Sequence, residues 1–367
     1  MSFVRFVGLD VHKDSITIAV AEGDLAPDVV ATIPHDIPKL LRKLRKLGPI
    51  EATSCCYEAG PTGFGLYRAL KELGIDCTVV APGLVPKKAG DRIKTDKRDA
   101  VRLARFHRSG DLTTVHVPDG DTEAMRDLER ARDDAKRAER VCRHQLSKFL
   151  LRHGRRYDAG KAWTTRYLAW VRTQQFTHEA QNRVHADHLK AVEDATARVE
   201  RLTKDITSLV ETWSMRPVVQ ALQAMRGIQL ITAATLVAEI GDFKRFASAP
   251  QFMAYLGLVP SEHSSGDSVR RGAITRTGNG HARRVMIEAA WAYRYRASMS
   301  RTIRLRNEGV APRVKDIAWK AQHRLHDRYV KLLGRGKNKQ RTVTAVAREL
   351  AGFVWSIARA NELLIAA

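Results

Sequence analysis

The spacing of apolar residues changes several times along the first 115 residues, and each spacing predicts a different element. Runs rich in β-branched residues predict strands at 3–9, 15–20 and 29–33, with a turn at 10–14 between the first two. Amphipathic spacing over 36–47, ended by a Gly-Pro pair, predicts a helix. The chain is therefore predicted to open with a hairpin meander that a helix follows.

Short apolar runs then alternate with helical patterns. The runs at 53–58 and 77–80 predict strands, and amphipathic spacing predicts helices over 64–73 and from Asp96 to about Ser109. Strands that come first, followed by strand–helix alternation, indicate an α/β fold with a mixed sheet and helical cover.

The composition changes after a linker at 116–122. Residues 122–151 contain almost no Gly or Pro and many charges, and residues 178–212 repeat this pattern beyond an aromatic stretch at 157–176. Two long, charged helices with sparse apolar positions are typical of an antiparallel coiled coil. We therefore expect an all-α arm in the middle of the chain.

The remaining chain is predicted to be mostly helical. Residues 222–236 show a helix, a glycine turn and a second helix, which is the pattern of a helix–hairpin–helix that grips a phosphate and equally that of a plain helical hairpin. Residues 259–268 are a loop by their composition, and 343–360 form a final amphipathic helix anchored by Trp355. The predicted domains are residues 1–115, 116–214 and 215–367.

The charge of the chain indicates a polyanionic partner. The net charge is +23 and the pI about 10.2, and no apolar run approaches the length of a membrane-spanning helix. Nucleic acid is therefore favoured over a membrane, and the N-terminus shows no signal peptide. The four cysteines lack CxxC spacing, which argues against a zinc site or a disulfide framework and favours a reducing cytoplasm. The expected location is therefore the cytoplasm, in association with the nucleoid.

Four acids at the ends of predicted elements are candidate metal ligands. Asp96 and Asp99 begin a helix three residues apart and share one helical face, so they are either ordinary first-turn acids or ligands of a cation. Asp10 follows the first strand, and Glu58 ends the strand at 53–58. Ribonuclease-H-like folds gather acids in this way around Mg²⁺, which prefers oxygen ligands and substrate phosphate.

The residues around these acids resemble the three acid motifs of the DEDD transposases of the insertion-sequence one-ten family. The motifs in this chain are Gly8-Leu9-Asp10-Val11-His12-Lys13, Glu58-Ala59-Gly60-Pro61-Thr62-Gly63 and Lys94-Thr95-Asp96-Lys97-Arg98-Asp99-Ala100. A second block of that family is similar to Gly257-Leu258-Val259-Pro260, His263-Ser264-Ser265-Gly266, Gly272-Ala273-Ile274-Thr275 and Gly278-Asn279. The resemblance extends from Phe6 to about Tyr293.

This resemblance implies a RuvC-like N-terminal domain that holds Mg²⁺, with Mn²⁺ as a substitute. The implied ligands are Asp10, Glu58, Asp96 and Asp99. It also implies a mostly helical C-terminal transposase domain whose serine forms a covalent phosphoserine bond to DNA. That serine is Ser265 by its place before Gly266, and Ser264 is its rival.

The implied partners are double-stranded donor and target DNA and a guide RNA, encoded by the element, that bridges them by base pairing. The implied assembly is a homodimer that forms a tetramer, in which one active site combines acids of one subunit with the serine of another. A covalent ester suits strand exchange, because the chain has no ATP-binding GxxxxGK[ST] motif and the energy of the phosphodiester bond has to be kept.

Clustered arginines near the candidate nucleophile favour contact with DNA phosphates, since guanidinium groups match phosphate geometry. These residues are Arg270, Arg271, Arg276, Arg283 and Arg284. The basic stretch at 301–341 is expected to add sequence-neutral affinity for DNA or RNA that depends strongly on salt.

Two other functions fit the same residues. One is a RuvC-type, metal-dependent, structure-specific endonuclease that hydrolyses DNA with the acids and uses no serine. The other is a basic nucleic-acid-binding scaffold without catalysis, whose acids are structural. A covalent DNA adduct that depends on Ser265 distinguishes recombination from both.

Overall fold

The computed structural model describes residues 4–86 and 95–365. Phe3 of the first predicted strand and Lys94 of the third acid motif lie outside the described residues. Within the described ranges, no helix combines the length and the apolar composition needed to span a membrane. The division of the chain into three domains stays a prediction.

The first of two compact units, Met1–Val117, contains a five-stranded mixed sheet. Its strands are β1 (Arg5–Val11), β2 (Ser15–Glu22), β3 (Asp28–Pro34), β4 (Thr53–Glu58) and β5 (Asp76–Val80). The first three strands form an antiparallel meander, and β4 and β5 extend the sheet in parallel with β1, so the order is β3-β2-β1-β4-β5. The predicted meander and the predicted mixed sheet are both confirmed.

Helices cover both faces of this sheet. They are α1 (Ile37–Leu47), α2 (Gly65–Glu72) and α3 (Asp96–Ser109). Leu40 of α1 and Leu70 of α2 share one buried cluster with Ile16 and Ile18 of β2. On the other face, Ala19 and Ala21 of β2 pack with alanines of α3. Successive strand residues point to opposite faces, so the two faces of β2 are buried by different helices.

Gly8 permits α3 to lie directly against β1. A Cβ atom at this position would lie 2.2 Å from the carbonyl oxygen of Ala100, a distance that no real side chain tolerates. Thr95 caps the helix by accepting a hydrogen bond from the Arg98 amide, so α3 begins at Asp96. The first turn of α3 is thereby held beside the end of β1.

The second compact unit, Pro118–Ala367, begins with two long helices joined through a short one. These are α4 (Gly120–Arg152), α5 (Thr165–Arg172) and α6 (Glu179–Val210). Arg132 Nε donates to Thr203 Oγ1 at 2.8 Å, and Thr196 Oγ1 donates to Glu139 Oε1 at 3.2 Å, so α4 and α6 run antiparallel. The aromatic stretch between them forms a small buried core of its own. The predicted pair of long antiparallel helices is confirmed.

The rest of this unit is helical apart from one short hairpin. Its elements are α7 (Arg216–Leu222), α8 (Leu230–Ile240), α9 (Ala249–Tyr255), β6 (Pro260–Glu262), β7 (Arg271–Ile274), α10 (Gly280–Ala290), α11 (Arg301–Arg306), α12 (Pro312–Gly334) and α13 (Lys339–Ile365). Trp355 Nε1 donates to the carbonyl oxygen of Phe246 at 3.1 Å, which confirms the predicted anchor of the last helix. A helix, a turn and a second helix are present, but α7 ends at Leu222, so residues 223–229 form the turn rather than part of the first helix. The grip on a phosphate stays a prediction.

Candidate active site

Two carboxylates end neighbouring parallel strands. The register pairs Leu9 of β1 with Tyr57 of β4, so the next residues, Asp10 and Glu58, follow at the carboxyl ends of the two strands. Asp10 alternates with Gly8 and therefore lies on the face that α3 covers. Only 17% of the Asp10 side chain is exposed, and Glu58 is partly buried.

The first turn of α3 adds two more acids on this face. Asp96 is exposed, whereas Asp99 is buried and accepts a hydrogen bond from Arg102 Nη2 at 2.6 Å. Their spacing of three residues places both on one side of the helix. The close packing of α3 at Gly8 brings this side to the end of β1.

His12 joins the acids, and the sequence did not identify it as a site residue. Its Nε2 atom lies 3.2 Å from Asp10 Oδ2 and 3.5 Å from Asp96 Oδ1. One ligand atom from each of the three residues falls within 4.8 Å of the others. A signal was present in the first acid motif, because residues two apart in an extended chain share a side. Glu58 and Asp99 lie outside this three-residue group.

The electrostatics of the group favour a cation. Burial raises the pKa of Asp10; His12 opposes this shift, and the negative charges of Asp96 and Asp99 add to it. Carboxylates that raise one another's pKa in this way are relieved when a cation binds between them. Two aspartates with a histidine are a suitable donor set for a divalent metal, because carboxylates suit hard ions and imidazole suits transition ions. The residues present therefore fit a divalent metal site.

The serine predicted as the nucleophile lies at the tip of a hairpin rather than in a loop. β6 and β7 pair antiparallel, and the backbones of Ser265 and Ser268 exchange two hydrogen bonds of 3.1 Å. Gly266 has φ +55°, the conformation that glycine supplies at the first position of a two-residue hairpin turn. The prediction of a loop over 259–268 was wrong for the residues of β6, because a strand of three residues is too short to show an alternating pattern.

The two candidate serines differ in what they contact. Ser264 Oγ donates to Glu262 Oε1 at 2.8 Å and accepts from the Arg270 amide at 3.3 Å. Ser265 is exposed, and its hydroxyl has no hydrogen-bond partner among the residues that the structure describes. Ser264 therefore has a structural role in the hairpin, and Ser265 is presented to solvent.

The five predicted phosphate-binding arginines are placed in different surroundings. Arg270 and Arg276 are exposed, and Arg271 pairs with Glu262 at 3.2 Å. Arg283 donates from Nη1 to the backbone carbonyls of Leu256 and Thr277 at 2.9 Å each. Arg284 pairs with Asp133 at 2.6 Å and with Glu288 at 3.0 Å. Arg271, Arg283 and Arg284 thus have protein partners that a phosphate would have to share.

Asn279 of the second block has a structural task. Its side-chain oxygen accepts from the Ala282 amide at 2.9 Å and caps α10, while Nδ2 donates to Glu239 Oε2 at 2.7 Å. Glu239 is fully buried and also receives two bonds from Arg130, at 2.8 and 3.0 Å. The network joins α4, α8 and α10, and composition alone gave no sign of it.

Proteins that are similar to this chain are described as transposases. Residues 7–154 match the family model for DEDD proteins of IS110 elements, described as a transposase, and residues 219–305 match the model described as the transposase IS116/IS110/IS902 family. The chain is 46% identical over 359 residues to the putative transposase y4qE of Sinorhizobium fredii, covering 96% of this chain and 88% of that protein. It is 32% identical over 338 residues to the transposase for insertion sequence element IS1533 of Leptospira borgpetersenii, covering 88% of this chain and 95% of that protein.

Proposed function

Because the chain belongs to the IS110 family of transposases, enzymes that cut and rejoin DNA, we propose that its reaction is divided between an acid site and a serine hairpin. The acid site is a RuvC-like metal centre in the first unit. The observation that carries the proposal is the gathering of Asp10, His12 and Asp96 at the end of β1 in a chain of net charge +23. The sheet order, with acids at the ends of β1 and β4, supports a ribonuclease-H-like fold.

Membership in a DEDD family indicates dependence on a divalent metal, and we propose Mg²⁺ as the ion. Asp10 and Asp96 would hold it directly, with Glu58 and Asp99 completing the four acids of the family motifs. When bound, the ion would neutralise charge on the phosphoryl oxygens of the DNA. Arg102 holds the Asp99 carboxylate in place through its 2.6 Å hydrogen bond.

Ser265 is the proposed nucleophile. Its Oγ forms an ester bond to the scissile phosphorus while the bond from phosphorus to one deoxyribose oxygen breaks, and the departing oxygen takes up the proton that the serine loses. The phosphodiester energy is kept in the protein–DNA ester. Attack of a DNA hydroxyl on this ester then rejoins the DNA and releases the serine.

The proposal includes a guide RNA that selects donor and target DNA, and a homodimer that assembles into a tetramer. The net charge of +23 supports a nucleic acid partner beyond the DNA itself, and the long helices α4 and α6 supply a surface for self-association. Base pairing to an RNA would provide the sequence specificity, as it does in other RNA-guided enzymes.

A denaturing gel with labelled DNA, guide RNA and Mg²⁺ tests the proposal. The wild-type protein is expected to form a covalent DNA adduct that disappears with EDTA and in Ser265→Ala but persists in Ser264→Ala. Free cut ends without an adduct would instead identify a hydrolytic endonuclease. Loss of the adduct in Ser264→Ala alone would assign the nucleophile to the serine that contacts Glu262.

A further inference from the structure

A basic groove lies beside the serine hairpin in the second unit. It encloses about 850 Å³ between β7, α10 and the beginning of α13. The cations that line it are Arg271, Arg276, Arg283, Lys337, Arg341 and Arg348. Among its described lining residues there is no acid. Only half of these cations belong to the arginine cluster that the sequence singled out.

Most of these charges lack a counter-ion from the protein. Arg271 pairs with Glu262, and Arg283 is held by backbone carbonyls. The other four make no ion pair with any residue that the structure describes. They are Arg276, Lys337, Arg341 and Arg348. Elsewhere in this unit arginines commonly pair with acids, as Arg284 does with Asp133.

The acid nearest in sequence is directed to other residues. Glu349 follows Arg348 on α13, yet its two carboxylate oxygens pair with Arg324 and Arg328 of α12 at 3.1 Å each. Glu349 therefore neutralises the α12 side of the helical hairpin and leaves the groove side positive.

The spacing of the cations on α13 places them in a row. Arg341 and Arg348 are seven residues apart, about two helical turns, so both lie on one side of the helix, with Thr344 between them in the groove lining. Lys337 precedes the helix by two residues and continues the row. The cations of the hairpin and α10 form the opposite wall.

Arg276 is held in a conformation that few side chains adopt. Its φ is +56°, in the left-handed region, and its neighbours in space, Gly257 and Gly278, are also left-handed. Arg283 has its pKa lowered by burial first and then by the positive charge of Arg276, so the two guanidinium groups repel each other. Backbone strain and like-charge repulsion at one position are typical of a site that a ligand completes.

The remaining lining indicates what kind of anion fits. Apart from Gln340, the uncharged residues are small or aliphatic, such as Leu258 and Ile274, and the described lining contains no aromatic ring on which a base would stack. A row of cations without a stacking platform suits a sugar–phosphate backbone better than exposed bases.

We propose that this groove binds the backbone of one strand of the DNA substrate and leads it to the hairpin that carries Ser265. DNA is favoured over RNA because β7 forms a wall of the groove and also one strand of that hairpin. The destination of the strand rests on the proposed function of Ser265, whereas binding in the groove is independent of it.

The test compares two pairs of exposed cations in the full-length protein. Lys337→Gln/Arg341→Gln removes two charges from the groove, and the control variant Lys161→Gln/Arg166→Gln removes one lysine and one arginine from exposed positions outside the groove and outside the 301–341 stretch. Binding to a fluorescein-labelled DNA duplex is measured by anisotropy over a range of salt concentrations. The groove variant is expected to bind on the order of tenfold more weakly and to lose about 1 unit of salt slope per phosphate contact, and the control variant is expected to match the wild type.

Two outcomes would contradict the proposal that the groove binds DNA. Equal weakening in both variants would show that net charge alone governs binding. Unchanged DNA affinity with weakened binding of a matched RNA duplex would assign the groove to RNA. Anisotropy is measured with EDTA, under which no covalent adduct is expected, so a failure of the adduct test leaves the binding result interpretable.

Arg276→Gly tests whether the charge of Arg276 contributes to DNA binding when its backbone conformation is kept. Glycine adopts φ +56° without strain, so thermal stability is expected to be unchanged or higher while DNA affinity falls several-fold. Normal DNA affinity in this variant, with the melting temperature retained, would remove Arg276 from the proposed site.

Discussion

The acids around Asp10 in the first unit and Glu239 in the second unit have different surroundings. At the end of β1, burial raises the pKa of Asp10, and neighbouring Asp96 and Asp99 add to the shift while only His12 opposes it. In the second unit, burial would likewise raise the pKa of Glu239, but hydrogen bonds from Arg130 and Asn279 outweigh it and lower that pKa. Arg130 supplies a cation to Glu239, whereas His12 is the only residue in the described part of the chain that opposes the raised pKa of Asp10.

This difference distinguishes Glu239, which stabilises the packing of helices, from the Asp10 group, which is proposed to bind a metal. Among the described residues, no arginine pairs with Asp10 or Asp96, although arginines are abundant in this chain. A buried carboxylate that is fully paired contributes to the packing of helices, whereas one that is left under-neutralised favours an added metal. Replacing single members of each group tests this distinction.

Asp10→Asn is expected to have the largest effect, and only on activity. DNA cleavage is expected to fall on the order of 10³-fold, because a proposed metal ligand is lost. Thermal stability is expected to stay the same or rise, because burial and repulsion of the Asp10 charge are removed. The melting temperature without metal and with Mg²⁺ or Mn²⁺ checks this, since metal is expected to stabilise the wild type but not the variant.

Asp24→Asn, at an exposed loop aspartate between β2 and β3, is the matched control for that substitution. It is expected to keep both cleavage and the metal-dependent rise in melting temperature. A metal response that survives in Asp10→Asn would place the ion elsewhere.

Arg130→Met is expected to act on stability instead. It leaves the fully buried Glu239 carboxylate without its two hydrogen bonds from the guanidinium group, which is expected to lower the free energy of unfolding by about 3 kcal/mol. The double variant Arg130→Met/Glu239→Gln is expected to regain part of that loss, because the unpaired charge is gone. Urea unfolding measures both, and equal stabilities of the single and double variants would contradict the pairing.

Glu129 is an intermediate case, and the effect of replacing it is expected to depend on pH. It is buried, one of its carboxylate oxygens has no partner among the described residues, and Thr235 Oγ1 donates to the other at 2.9 Å. Burial raises the pKa of Glu129 to about 7, against hydrogen bonding from Thr235 and the charge of Arg132, which lower it.

Because the pKa of Glu129 is higher in the folded state than in the unfolded state, the fold loses stability as pH rises. The loss begins near the ordinary glutamate pKa of 4.5 and is complete above about 7, with a total of about 3 kcal/mol. Glu129→Gln is expected to reduce this slope between pH 5 and pH 7, as measured by urea midpoints at several pH values. An unchanged slope would assign the titration to other groups.

Local sequence predicted much of the first unit, and the reason is physical. The strand β4 was predicted at its observed limits, because buried strands carry continuous apolar runs. The helix α3 was predicted to begin at Asp96, since Thr95 is a favourable cap and Gly110 a favourable end. Spacing and capping act over a few residues, so they can be read along the chain.

Pairing between distant residues could not be predicted in the same way. The same residue type, arginine, is exposed at Arg270, paired with acids at Arg284 and bound to backbone carbonyls at Arg283. The partners of Arg284 include Asp133, 151 residues away along the chain. The basic stretch at 301–341 was described only by its charge, whereas packing places part of it on the groove and part on α12.

The sequence by itself determined which residues of this protein carry reactive groups: the acids at the ends of elements, the serines beside a glycine, and a large excess of cations. Only the tertiary structure decided which of these charges are neutralised by the protein and which remain for a ligand. His12 became part of the acid site because β1 and α3 approach each other at Gly8, and Glu239 became structural because Arg130 lies on a neighbouring helix. Charge is a property of a residue, but its neutralisation depends on what lies within a few ångströms, and that is determined by packing.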